Sequence, residues 1–177
     1  MSWLSKLFKS VPKEERNGIT LDLRVPHWKV SSPKEFPTFL RALIDLIPKG
    51  SIVYLEGGSP RKELKVFLDE RSIPEVCHVA MGTIWPRPHV FHLPATPENL
   101  SAFADISEHY AEPEVAIHFH VYKDDRILLQ WYDAFYDPIF ISNEVPELKV
   151  KEFCTKLSLK YEIDTLGVKQ DSGADGA

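Results

Sequence analysis

Residues 115–132 read VAIHFHVY-KDDR-ILLQWY, two runs of strand-forming residues separated by four polar ones. Branched and aromatic residues favour strands, and a short polar segment between two such runs is typical of an antiparallel hairpin. With a two-residue loop at Asp124 and Asp125, His118 is predicted to face Trp131 across the hairpin. Both faces of the hairpin are largely apolar, so we expect other elements to cover it on both sides.

Proline indicates where helices begin. Pro suits the first helical turn because its missing N–H would have no partner there, and a preceding Ser or Thr can cap the helix. Apolar residues at helical spacing follow each such start, which predicts helices from Pro33, Pro60, Pro97 and Pro146. Strand-like runs lie between these helices, at Thr20–Val25, Ser51–Leu55, Val76–Ala80, His89–Leu93 and Pro138–Ile141.

This alternation predicts one α/β domain at residues 19–165, with a mixed β-sheet, a C-terminal antiparallel hairpin and about four covering helices. The length of 177 residues and the 44% of hydrophobic residues are enough for one substantial core. An amphipathic segment at residues 1–18 precedes the domain, and a small, polar tail at 166–177 is predicted to be disordered. The residues expected in the core are Leu43, Val53, Phe67, Phe103, Ile117, Phe119 and Phe153.

The N-terminal residues 2–11 combine an apolar stripe with lysines. The stripe consists of Trp3, Leu4, Leu7 and Phe8, and Lys6 and Lys9 flank it. Such a helix can make weak contact with a membrane surface or with a partner, or it can pack on its own domain or fray. Because the lysines interrupt the apolar run, we expect no secretory signal and a soluble, cytoplasmic protein.

The charge balance excludes some classes of partner. The chain has 21 Lys and Arg against 26 Asp and Glu, a net charge of −5. Nucleic-acid binders normally carry a basic excess, so we expect no nucleic-acid partner, whereas an acidic surface suits a basic protein. The two cysteines, Cys77 and Cys154, are too few for a disulfide framework.

The histidines of the hairpin are the candidate metal ligands. His118 and His120 point to one face of their strand, and Asp133 can add a carboxylate near the end of the hairpin. Three such ligands with an open position would suit zinc or another divalent metal. No established metal signature is present, and the alternative is a pair of partly buried histidines with satisfied hydrogen bonds.

Two other stretches are candidate ligand-binding segments. Gly57, Gly58 and Ser59 lie between a buried strand and a helix, where backbone amides can approach an anion, with Arg61 supplying charge. The alternative is an ordinary turn. The aromatic residues Trp85, Trp131 and Tyr132, with Arg87, can form the wall of a pocket, or they can belong to the core and the sheet edge.

The sequence contains no catalytic signature and no cofactor motif, and no catalytic residue can be assigned. The preferred hypothesis is a non-catalytic cytoplasmic binding or regulatory domain that recognises another protein and needs no cofactor. The alternative is a small metal-assisted hydrolase that uses the strand with His118 and His120.

Overall fold

The computed structural model describes residues 17–57, 61–110 and 112–165. Within them, one seven-stranded sheet has the order β3-β2-β4-β5-β6-β1-β7, and all pairs of neighbouring strands are antiparallel. The strands are β1 (His27–Val30), β2 (Ile52–Gly57), β3 (His89–Pro94), β4 (His118–Lys123), β5 (Arg126–Trp131), β6 (Ile139–Ser142) and β7 (Tyr161–Asp164). The helices are α1 (Phe36–Leu46), α2 (Lys62–Arg71), α3 (Pro97–Ser107), the one-turn α4 (Glu112–Val115) and α5 (Glu147–Leu157).

The prediction of one α/β domain with a sheet and four covering helices is confirmed, but the sheet is antiparallel rather than mixed, because strands separated by helices pair antiparallel here. The predicted hairpin is β4–β5, and its strands pair antiparallel as expected. Outside the sheet, Ile19 and Val79 form an isolated bridge in which the two chain segments run parallel. No helix in the described ranges is long and apolar enough to cross a membrane.

The core lies between one face of the sheet, here called the helix face, and the four longer helices. Alternate strand residues such as Val53, Phe119 and Trp131 point into it and meet the apolar stripes of the helices. Of the residues predicted to be buried, Leu43, Val53, Phe103, Phe119 and Phe153 are at most 2% exposed, whereas Phe67 and Ile117 are half-buried. Phe67 lies at the edge of the core, under the guanidinium of Arg71.

The start predicted at Pro97 agrees with the structure, whereas the start predicted at Pro33 does not. The Thr96 side chain accepts a hydrogen bond from the backbone N–H of Asn99, so the predicted cap of α3 is confirmed. The predicted start at Pro33 is wrong, because α1 begins at Phe36, with Pro37 in its first turn. The later start places the Phe36 ring in the core, 3% exposed. The predicted start at Pro60 lies outside the described residues.

The hairpin has the predicted two-residue loop, but a bulge changes its register. Next to the turn, Lys123 pairs with Arg126, as expected. A register shift then leaves Leu128 without a partner, and Trp131 pairs with Phe119 rather than with His118. The predicted His118–Trp131 pair is therefore wrong: the extra residue moves Trp131 to the helix face and leaves His118 on the other face.

The face opposite the helices, here called the second face, is covered in part by extended chain. Thr20–Val25 and Val76–Ala80, here called the cover segments, were predicted as strands, and this is wrong: residues 23–25 form a turn and residues 76–77 a bend. The two segments are joined through Ile19, which forms an isolated bridge with Val79. Leu21 and Val79 pack with Tyr54 and other buried residues of the second face. The strands β1 and β7 were not predicted from the sequence.

Candidate functional site

A buried polar cluster lies on the second face, where β2, β4 and the end of β5 are neighbours. It consists of Tyr54 and Glu56 from β2, His118 and His120 from β4, and Tyr132, which follows β5. Glu56 is 0% exposed, His120 1% and His118 6%. Buried polar groups are costly unless they are hydrogen-bonded, so the partners of this cluster show what holds it in place.

The Glu56 carboxylate anchors a loop to the sheet. Its Oε1 accepts hydrogen bonds from the Tyr54 hydroxyl at 2.9 Å and from the Gly82 N–H at 2.7 Å. Its Oε2 accepts one from the Thr83 N–H at 2.9 Å. Burial and the adjacent carboxylate raise the pKa of Tyr54, so its hydroxyl stays protonated and donates. Three donors therefore compensate for the burial of this carboxylate and hold residues 82–83 in place.

Both histidines of the cluster accept hydrogen bonds from backbone amides. The Nδ1 of His118 accepts from the Asp133 N–H at 3.0 Å, and the Nδ1 of His120 accepts from the Trp131 N–H at 3.2 Å. A nitrogen that accepts carries no proton, so each neutral ring has its proton on Nε2. Burial lowers the pKa of His118, and it lowers that of His120 to about 3, so both rings are neutral at pH 7.

The proposed metal ligands do not converge in this arrangement. A histidine that binds a metal through Nε2 needs a lone pair on Nε2. In both rings Nδ1 accepts a hydrogen bond, so the ring proton is on Nε2 and that lone pair is not available. The Asp133 side chain is 66% exposed, with its Oδ1 3.9 Å from the Nδ1 of His118. In the part of the chain that the structure describes, no three His, Cys, Asp or Glu side chains are grouped to hold a metal. The zinc hypothesis stays a prediction, and the tautomers of both rings count against it.

Two loops start at opposite sides of the His118 ring; we call residues 82–87 and 133–137 the sheet-end loops. A Cβ on Gly82 would lie 2.6 Å from Cδ2 of His118, so only glycine fits there. On the other side, the Asp133 N–H donates to the same ring. Both loops are therefore anchored to the buried polar cluster at one end of the sheet.

The second sheet-end loop is held in a strained conformation. Asp133 has φ 39° and Phe135 has φ 82°, in the left-handed region that side chains rarely adopt. The Ala134 N–H donates to the Ile117 carbonyl at 2.8 Å, and the Trp131 indole N–H donates to the Asp137 carbonyl at 2.9 Å. The Phe135 ring packs against Trp131 with the centroids 5.2 Å apart. These contacts offset the strain and fix the loop.

The sheet-end loops expose large side chains. Ile84 and Trp85 are each 55% exposed, and Tyr136 is 80% exposed. A cavity of about 260 Å³ lies beside Tyr136 and is lined also by Asp133 and Asp137. Tyr136 thus lies next to two carboxylates on one loop, and Ile84 and Trp85 are exposed on the other. Both loops are held in place by hydrogen bonds to the buried polar cluster.

The predicted ligand-binding residues are only partly brought together here. Trp85 and Arg87 are exposed in one sheet-end loop, and Tyr132 belongs to the buried polar cluster. Trp131 is 0% exposed in the core, so it does not line an open pocket. The Arg61 guanidinium lies 3.1 Å from the Glu114 carboxylate, which already pairs its charge.

In the predicted glycine turn, Gly57 ends β2 and faces His89, while Gly58 and Ser59 lie outside the described residues. Sequence reasoning missed the roles of Glu56 and Gly82, whereas Tyr136 belongs to the aromatic segment 131–137 that was considered as a pocket wall. A carboxylate at the end of the apolar run SIVYL was the available signal for Glu56, because a buried strand rarely carries an uncompensated charge.

Comparisons of the chain with protein-family models, curated proteins and solved structures find no match. The function is therefore argued from the residues of the site.

The buried histidines predict a loss of stability in acid. The pKa of His120 is lowered from 6.5 to about 3 by burial, so below pH 6.5 the unfolded chain binds a proton that the folded chain does not. Stability therefore falls as the pH falls from 6.5 toward 3, by about 2 kcal/mol at pH 5 for this one group. Urea unfolding at pH 7 and pH 5 measures the loss.

His120→Gln is expected to reduce the difference between the two pH values, whereas substitution of the exposed His109 by Gln leaves it as in the parent protein. An unchanged difference in His120→Gln would contradict the assignment of a neutral buried ring.

Proposed function

We propose that the chain is a non-catalytic binding or regulatory domain that recognises another protein through its sheet-end loops. The observation that carries this proposal is the anchoring of both loops. Glu56 and His118, which are buried, hold the backbone of residues 82, 83 and 133, and the same loops expose Trp85 and Tyr136.

Anchored loops favour binding because little conformational entropy remains to be lost when a partner docks. Trp and Tyr are the side chains most enriched among residues that dominate binding energy in protein interfaces. Exposed side chains of this size at one end of a sheet are thus better explained by a partner than by the stability of the domain.

The charges near Tyr136 indicate the kind of partner. Asp133 and Asp137 border the same cavity, and the chain as a whole has a net charge of −5. Complementary charge speeds association and favours the correct orientation. We therefore propose a protein partner with an apolar patch bordered by Lys or Arg, and no nucleic-acid partner.

The buried polar cluster supports a structural rather than a catalytic role for its members. The Glu56 carboxylate accepts three hydrogen bonds, and the Nδ1 atoms of His118 and His120 each accept a hydrogen bond from a backbone N–H. A general base needs an acceptor that can reach a substrate proton. No observation of comparable weight favours the alternative, a metal-assisted hydrolase that uses His118 and His120.

Two narrower parts of the proposal concern location and the N-terminal segment. We propose a cytoplasmic location, which the free thiols of Cys77 and Cys154 support, because reduced cysteines are usual there. Weak contact of residues 2–11 with a membrane surface also stays a proposal, since these residues lie outside the described part of the chain.

The proposal is tested with a partner identified by cross-linking the full chain in extracts of its source cells, then purified. Trp85→Ala and Tyr136→Ala are each expected to weaken binding to that partner by tenfold or more, the usual range for central interface aromatics. Leu148→Ala is the matched control, because Leu148 is 66% exposed on α5, away from these loops.

Isothermal titration calorimetry of the three variants gives the affinities. A partner whose affinity is unchanged in both Trp85→Ala and Tyr136→Ala would show that the sheet-end loops are not the recognition surface.

A further inference from the structure

A second cavity lies at the other end of β4 and β5, away from the sheet-end loops. It has a volume of about 360 Å³ and is formed by the end of α1, the β4–β5 turn and the start of α5. Its apolar floor consists of Leu46, Leu128 and Val145, which are 2–5% exposed. The volume lies within the range of small-molecule sites.

The bulge in β5 shapes this floor. Leu128 has no partner in the β4–β5 ladder, and both Leu128 and Leu129 join the core on the helix side. Without the extra residue, two consecutive side chains would point to opposite faces of the sheet. The bulge thus directs one more apolar side chain toward the cavity, in the way that bulges elsewhere re-aim side chains near sites.

The rim of the cavity is cationic. Lys123 and Lys149 are both half-buried beside the apolar floor, and no carboxylate of the described part of the chain forms an ion pair with either. Arg126 and Glu144 also line the cavity, but they pair with each other at 3.0 Å, and Asp124 contributes one negative charge. The Asp45 carboxyl, whose pKa is lowered mainly by Lys156, also interacts at longer range with Lys149. The lining carries three positive and two negative side chains, and this net positive charge favours an anionic ligand locally.

We propose that this cavity binds a small organic carboxylate with an apolar body. The carboxylate would lie between the Lys123 and Lys149 ammonium groups, and the apolar body would lie against the exposed Pro48 and Pro146, with Leu46, Leu128 and Val145 as the buried floor. A purely inorganic anion would make no contact with the exposed apolar surface of Pro48 and Pro146, and a neutral apolar molecule would not pair with either ammonium group. The combination selects for a molecule that carries both parts.

The experiment uses the full chain and three probes: octanoate, octanol and inorganic phosphate. Octanoate is expected to bind and to shift the backbone amide resonances of the non-proline residues in 46–50, 123–128 and 145–149 in a heteronuclear NMR titration. Lys123→Glu and Lys149→Glu are each expected to weaken octanoate binding at least tenfold. Lys62→Glu on α2 is the matched control for a change of charge outside the cavity and leaves the affinity unchanged.

With the parent protein, any of three results would overturn the proposal: no shifts with octanoate, equal affinity for octanol and octanoate, or equal affinity for phosphate and octanoate. Thermal melts establish that each variant is folded, and Lys123→Gln with Lys149→Gln replaces the charge reversals if they are not. Octanoate binding that survives both neutral substitutions would also overturn it.

Discussion

Glu56→Ala is expected to lower the free energy of unfolding by about 3–5 kcal/mol, because it removes a buried carboxylate that accepts three hydrogen bonds. The Gly82 and Thr83 N–H groups and the Tyr54 hydroxyl would all lose their partner. Water can restore some of these bonds but must enter a site that is 0% exposed in the parent protein. Urea unfolding followed by tryptophan fluorescence measures the loss.

Two variants separate the role of Glu56 from a general effect of mutation. Tyr54→Phe removes one of the three hydrogen bonds and is expected to cost about 1 kcal/mol. Glu56→Gln keeps the shape of the side chain and one acceptor oxygen. Its loss of unfolding free energy should therefore lie between those of Glu56→Ala and Tyr54→Phe. A loss in Glu56→Ala no larger than that in Tyr54→Phe would mean that the carboxylate does not anchor the loop.

Phe103→Ala is expected to cost about 3–5 kcal/mol, the range for truncating a large side chain in a close-packed core. Phe103 is 0% exposed on α3, and its ring centroid lies 5.5 Å from that of Phe36 and 5.9 Å from that of Phe67. Its removal would leave a cavity between α1, α2 and the sheet, which these neighbouring rings can fill only in part.

Leu148→Ala is the control for Phe103→Ala, because Leu148 is a large apolar side chain that is 66% exposed. Its expected change in unfolding free energy is within about 0.5 kcal/mol. Both proteins are compared by chemical denaturation at pH 7. A loss below about 1 kcal/mol in Phe103→Ala would contradict the packing of α3 against the core.

The fold class was predictable because its signals are local. Thr96 and Pro97 indicate the start of α3, and the composition of the β4–β5 hairpin indicates two strands and a turn. The register was not predictable, because a bulge of one residue at Leu128 depends on packing across the sheet and leaves no mark in the local pattern. That single residue determines that the Trp131 side chain points to the helix face of the sheet.

The buried polar cluster was only partly predictable. The alternation in β4 placed His118 and His120 on one face, and this is confirmed. Their state depends on the Asp133 and Trp131 amides and on burial beside the rings of Tyr54 and Tyr132, which lie on other strands or follow them. The wrong prediction of a strand at Thr20–Val25 has a similar origin. The segment has strand-like alternation, but whether a neighbouring strand pairs with it depends on residues distant in sequence.

The position of β1 has a consequence for the order of folding. This strand comes first in the described chain, yet it lies between β6 and β7 and pairs with residues 139–142 and 161–164. These are contacts of high sequence separation, which raise the contact order and slow folding. On the ribosome, β1 has no partner strand until residues 139–142 have emerged, and it cannot be paired on both sides until residue 164 has emerged. We therefore expect the strands β3, β2, β4 and β5 to pair first, and β6, β1 and β7 to be added to the sheet last.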